Sequence, residues 1–384
     1  MAKAFSKTKK VLAVLIALAL TLASGCAPKG YTERIHTTFS STMTYSAKVL
    51  DGNAKSALDE IDEMLDAVDK SVNIHRSDSL LTAFNNAKAN ERVEVDKHAY
   101  EMALVAKEAF LITDGAFNVS LGALSRAWGV DAEGVKKYVY GNEKIQSLPS
   151  AESCASLLAQ ADLSALTVTE DEGKYYLTKT NDALTLDFGG LAKGYCADKC
   201  KEIALKHGVT SALFQISGNI MLIGEYIEKG NARDWGVGVI NPRQTPNTSG
   251  YVCGFYRSGN LSVVTSGDYE RCYFYDYVDT SVRVNHIIDG RTGYPTGVKY
   301  DQSTKRYVCL ATAVCSATIV GESSLWCDIL STTACVVGLE RASEIISQKG
   351  YDALLFSADK KMKVVGEFTF AQSEKLYLTE YEQV

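Results

Sequence analysis

Apolar residues recur along this chain with two different periods, and each change of period marks an element. In AKSALDEIDEMLDAVDKSV, Ala57, Ile61, Leu65 and Val68 fall four, four and three apart with acids between them, which predicts a helix with one buried face. The same kind of spacing predicts helices in DKHAYEMALVAKEAFLITDG, ending at Gly115, and in SAESCASLLAQAD. Three more are expected in AKGYCADKCKEIALKHG, with Gly208 as its stop, in GESSLWCDILSTTACVVG and in LERASEIISQKG. Alternation and short β-branched runs predict strands at TTFSSTMTYSAKVL, KYYLTKT, ALTLDF, SALFQIS, WGVGVI, LSVVTS, RYVCLATAV and ALLFS. Helices and strands are interspersed without strict β-α-β alternation, so the expected class is α+β, mixed sheets with helices packed on one side.

The N-terminus breaks this pattern. MAKAFSKTKKVLAVLIALALTLASGC sets four lysines ahead of an apolar run from Val11 to Leu22, the order of a secretory signal, and the run is too short to span a membrane comfortably. Ala23, Ser24 and Gly25 then lead into Cys26, which looks like the cleavage and acylation site of a bacterial lipoprotein, the alternative being a cleaved, fully secreted protein with an accidental cysteine. The expected organisation is a signal over residues 1–25, a tether over 26–34 from acylated Cys26, and one domain over 35–384. The expected location is the outer face of the cell membrane.

Removing residues 1–25 takes away four lysines and no acid, leaving a formal charge of about −10. Such a body is a poor partner for nucleic acid or an anionic membrane surface, though it can still bind a phosphorylated ligand locally. Nine cysteines follow Cys26, an odd number scattered through apolar segments, which reads as core thiols rather than a disulfide framework. Cys196 and Cys200 have i, i+4 spacing without the further ligands a metal site needs, so packing is the expected role.

Five segments can carry chemistry, one of them VTSGDYERCY, a glycine turn with charged residues after a β-branched strand. In TLDFGGLAKGYCADK a strand ends in Asp187, turns at Gly189-Gly190 and enters a helix with Lys193 and Gly194 in its first turn. That suits an anionic ligand at a helix start, or equally a plain tight turn with a solvated lysine. In TDGAFNVSLGALSRAWGV, Phe117 and Asn118 could stack and read a planar ring, or simply form core and turn. In WCDILSTTACVVG, Asp328 and Thr332 share a helical face with Ser331 adjacent, which suits Mg²⁺ bound to phosphates or a backbone-bonded aspartate. His286 in NHIIDGRTGYPT is one of five histidines and can serve as a general base or as a structural group.

Taken in order, HRSDSLLTAFN, TDGAFNVSLGAL, LDFGGLAKGYCADK, FQISGNI, TSGDYER, HIIDGRTG and DILST resemble the FAD:protein FMN transferase family, the ApbE-like flavinyltransferases, over about residues 35 to 370. The resemblance implies the flavinyltransferase fold and Mg²⁺-dependent splitting of FAD. FMN would pass to a threonine or serine of an exported acceptor, a redox protein by expectation, with release of AMP. It further implies flavin-nucleotide contacts at Ala116, Phe117, Asn118, Asp187, Lys193 and Ile288. Metal ligands would be Asp328 and Thr332, with the Gly190 carbonyl and Ser331, and His286 would be the base for the acceptor hydroxyl. The chain departs from the family pattern at Asn118, where aspartate is usual, and at Gly290, where proline is usual. Ser217 and Asn219 replace glycine and aspartate, and His75 stands where tyrosine is frequent. An Mg²⁺-dependent FAD pyrophosphatase and a non-catalytic flavin-binding lipoprotein are the alternatives.

Overall fold

The computed structural model of the chain describes residues 31–39, 43–141, 143–228, 230–243, 250–370 and 380–384, so Cys26 and the signal-like run lie outside the described residues. Its main element is a nine-stranded sheet. The order is Thr32–Thr38, Met43–Val49, Ala212–Ile216, Asn219–Ile223, Ser262–Gly267, Val314–Gly321, Asp352–Ser357, Lys361–Val365 and Glu382–Gln383. All neighbours are antiparallel except the last pair, which makes the sheet mixed.

The period-two rule divides the side chains of DALLFS between two cores. Ala353 and Leu355 pack against the helices Ser324–Val337 and Leu339–Lys349, while Leu354 and Phe356 meet a small sheet of Trp235–Ile240, Tyr251–Arg257 and Thr369–Phe370. At the other end, Tyr45, Ala47, Phe214 and Ile216 cover the helices Ala54–Val72, Lys97–Ile112 and Ala192–Lys206. The expected one-sided helical layer is therefore present, and a second sheet closes the opposite face. In Ala54–Val72 the side chains of Leu58, Ile61, Leu65 and Val68 are fully buried. Each contributes roughly 2 kcal/mol of apolar burial. Cys196 and Cys200 are buried in the same core, which pushes both thiols up and leaves them protonated.

Four expectations are corrected. TTFSSTMTYSAKVL is not one strand but parts of two, because Phe39 adopts a positive φ of 52° and turns the chain back on itself. The tether gives way at Thr32 to an edge strand whose Arg34 pairs with Asp59 and Asp62 on the adjacent helix. RYVCLATAV breaks after Cys309, where Leu310 N–H turns to Gly297 O. ALTLDF is extended without being a strand. Its Leu186 N–H and C=O bond to both ends of the Asn85 amide, at 2.7 and 2.9 Å, so a side chain occupies the groups that a neighbouring strand would use.

Candidate active site

The helices Ala192–Lys206 and Ser324–Val337 cross near their N-terminal turns. They approach so closely at Gly194 that a β-carbon there would lie 2.5 Å from Ser324 O. Each helix caps the other. Asp328 accepts the Gly194 N–H at 3.1 Å and Lys193 Nζ at 3.2 Å, and Asp198 accepts the N–H groups of Ser324 and Leu325 at 2.7 and 3.0 Å with the Ser323 hydroxyl at 2.7 Å. A helix start leaves several N–H groups unpaired and carries partial positive charge, which is what these carboxylates satisfy. Burial raises the Asp198 pKa against the hydrogen bonds that lower it. Asp328 is only 1% exposed, and the Lys193 ammonium and the Gly194 N–H are the partners its carboxylate has there.

Beside this carboxylate lie three hydroxyls. Ser266 Oγ is 2.8 Å from Ser331 Oγ and 3.3 Å from Thr332 Oγ1, and the Ser331 hydroxyl donates to the Asp328 carbonyl at 3.0 Å. The short turn Phe188–Gly190 packs against the same helix. Asp187 holds that turn by accepting the Gly189 N–H at 2.9 Å. Gly190 is exposed above the buried Phe117 ring, which lies 3.7 Å from the site a β-carbon would take. Carboxylate, hydroxyl and carbonyl oxygens are hard donors, so the residues present fit a small divalent cation that also binds phosphate.

Ala116 and Phe117 are buried beneath the turn. The Asn118 amide is engaged at both ends, donating to Ala161 O at 2.8 Å and accepting the Ser120 N–H at 2.9 Å and hydroxyl at 3.0 Å. It pins the loop through these bonds.

The histidine segment closes on itself. Ile288 bridges Pro295, Thr296 N–H donates to Ile287 O at 2.7 Å, and the Thr296 hydroxyl bonds Cys335 O on the Asp328 helix. Gly290 N–H donates to Ala116 O at 3.1 Å, and a β-carbon at Gly290 would stand 2.2 Å from Gly115 O. That glycine is required by close approach, not by loop flexibility. His286 is half-buried as a residue; its Nδ1 is fully enclosed and has no hydrogen-bond partner, while the ring bonds the Arg271 backbone. Its pKa is pushed down to about 3, first by desolvation and then by the charges of Arg271 and Lys193. The ring is neutral at physiological pH and can accept a proton.

The ApbE family matches residues 36–355. The chain belongs to the ApbE family. A relative named FAD:protein FMN transferase, from Treponema pallidum (strain Nichols), is 28% identical over 321 residues, covering 80% of this chain and 79% of the relative. The solved flavin transferase ApbE from Vibrio cholerae superposes with a TM-score of 0.68 at 22% identity, covering 91% of this chain and 99% of its own. The apbe protein from Thermotoga maritima msb8 gives 0.66 at 26% identity, covering 92% and 100%.

In this ApbE-family chain the segments separated in sequence are tied by direct bonds. Lys193 meets Asp328 and, at 3.4 Å, Asn219; Asp187 N–H reaches Val119 O at 2.7 Å; Gly290 meets Ala116. Ile288 is buried in the wall of the histidine segment. Ser266 and Asp198 were not singled out from sequence. Ser266 stands in the quoted TSGDYER segment, and Asp198 follows Lys193 by five residues, but neither pattern says which helix end lies across from it.

Proposed function

We propose that this protein is an FAD:protein FMN transferase, moving FMN from FAD to a threonine or serine hydroxyl of an exported acceptor protein and releasing AMP. The observation that carries the reading is a neutral His286 ring within the field of Lys193, the cation that pairs with Asp328. The acceptor oxygen forms a bond to the FMN phosphorus, the bond from that phosphorus to the bridging oxygen breaks, and AMP leaves with the bridging oxygen. The hydroxyl proton passes to the His286 ring. Lys193 places positive charge beside the diphosphate, and Asp187 and the Ala116–Phe117 floor fix the turn against which FAD lies. Asp328, Thr332 and Ser331 with the Gly190 carbonyl would hold Mg²⁺, which supplies neutralisation of diphosphate charge when bound.

Incubation with FAD, Mg²⁺ and an exported flavoprotein acceptor tests the reading by mass spectrometry. The acceptor is expected to gain the mass of FMN less one water, with one AMP per adduct. Free FMN and AMP without an adduct would identify a pyrophosphatase, and intact FAD a binding protein; either result overturns the transferase reading.

The signal-like run ending at Cys26 supports a lipid-anchored position on the outer face of the cell membrane, where an exported redox protein would be the acceptor. Cys26→Ala is expected to move the protein from the membrane fraction to the soluble one. Retention in the membrane fraction would remove the anchor from the proposal.

A further inference from the structure

The strands Cys272–Asp276 and Ser281–Asn285 form an antiparallel ribbon whose last pair is Cys272 opposite Asn285. Arg271 and His286 stand one residue beyond that pair, and the His286 ring bonds the Arg271 backbone. Their proximity is borne out by electrostatics, since Arg271 is the strongest charge acting on the His286 ring, ahead of Lys193. Arg271 is exposed, and no carboxylate among the described residues pairs with it. Nearby Asp268 is already taken, bound by both terminal nitrogens of Arg243 at 2.7 Å.

A second donor lacks a partner beside Lys193, the other cation acting on the His286 ring. Asn219 is 1% exposed and turns Oδ1 toward Lys193, an orientation fixed by charge because an amide NH₂ does not face an ammonium. Its Nδ2 is left enclosed with no acceptor. An unsatisfied enclosed donor is costly, and the free Arg271 guanidinium carries uncompensated positive charge. Both deficits are met by one ligand carrying several anionic oxygens.

We propose that Arg271 binds the diphosphate of FAD, its guanidinium fork engaging the phosphoryl group in transfer while Asn219 Nδ2 serves as a second donor. The proposal rests on the transferase reading of this site. As the acceptor oxygen bonds to the FMN phosphorus, the bridging bond breaks and AMP departs with the bridging oxygen. The guanidinium holds the anionic non-bridging oxygens in place opposite the histidine that receives the hydroxyl proton.

The test uses the whole chain with Arg271→Gln and Arg271→Lys, titrated by flavin fluorescence with FAD and with riboflavin, which lacks the diphosphate. Arg271→Gln is expected to weaken FAD binding about tenfold or more and leave riboflavin binding unchanged, and Arg271→Lys to recover part of the loss. The transfer rate at saturating FAD should fall at least about tenfold in the glutamine variant. Equal losses for FAD and riboflavin, or FAD affinity within about twofold of the parent, would overturn the proposal. So would a change confined to the KM for the acceptor, which would place Arg271 against that protein instead. The binding titrations need no acceptor, so their outcome is read separately from whether transfer occurs.

Discussion

Asp328→Asn is expected to lower the rate of FMN transfer by about a hundredfold or more while leaving the fold largely intact. The substituted amide keeps an oxygen for the Gly194 N–H, now at 3.1 Å, but removes the charge that Lys193 Nζ meets at 3.2 Å. Asp328→Ala goes further. It strands the helix-start N–H and leaves Lys193 without its carboxylate in a place where Asp328 itself is almost wholly buried. Breaking such a pair costs about 3 kcal/mol, reduced here because Lys193 retains partial access to water. Thermal melting should therefore fall clearly for alanine and little for asparagine, whereas activity should collapse in both. If Asp328 acted only as the cap that joins two helices, asparagine would retain both melting temperature and rate. An asparagine variant with the parent rate would remove Asp328 from the reacting centre.

Much of this arrangement is legible in the sequence, and the parts that are not have a common cause. The helix Ser324–Val337 follows from spacing, so Asp328 and Thr332 could be placed on one face before any contact was known. What spacing cannot supply is the partner across the gap. The mutual capping by Asp198 and Asp328 depends on two helix starts meeting at Gly194, a long-range encounter with no local signature. Gly290 shows the same limit in another form. Read as a sequence, it is a permissive residue where relatives use proline; in the fold it is pressed against Gly115 O and donates its N–H to Ala116 O, a bond proline could not make. Likewise ALTLDF has the composition of a strand, and only the Asn85 amide, about a hundred residues earlier, explains why it has no strand partner. Asn118 gives a milder case. Its amide has the chemistry to read a ring edge, but it is engaged by Ala161 and Ser120.

His286→Ala is expected to slow transfer by about 10²- to 10⁴-fold with FAD affinity within about twofold of the parent, since the ring handles a proton rather than anchoring the flavin. The pH dependence gives this prediction its sign. In the ligand-free protein the ring titrates at about 3, against 6.5 for an unperturbed histidine, so His286 is neutral and able to accept a proton throughout the physiological range. Binding the diphosphate puts negative charge beside Arg271 and Lys193, the two cations that depress the ring, and must raise its basicity. The acid limb of kcat, which reports the bound complex, should therefore lie above the histidine limb of the free enzyme. A histidine-dependent limb that did not move on FAD binding would separate the two cations from the diphosphate. Stability carries the same sign. Between pH 6.5 and about 3 the unfolded chain binds a proton at this position that the folded chain refuses, so the His286 contribution to stability is present above 6.5 and is lost as pH falls. His286→Gln should consequently show a smaller drop in Tm from pH 7 to pH 5 than the parent. If parent and variant lost Tm in parallel, the ring would be titrating as a solvated one and could not be the poised base.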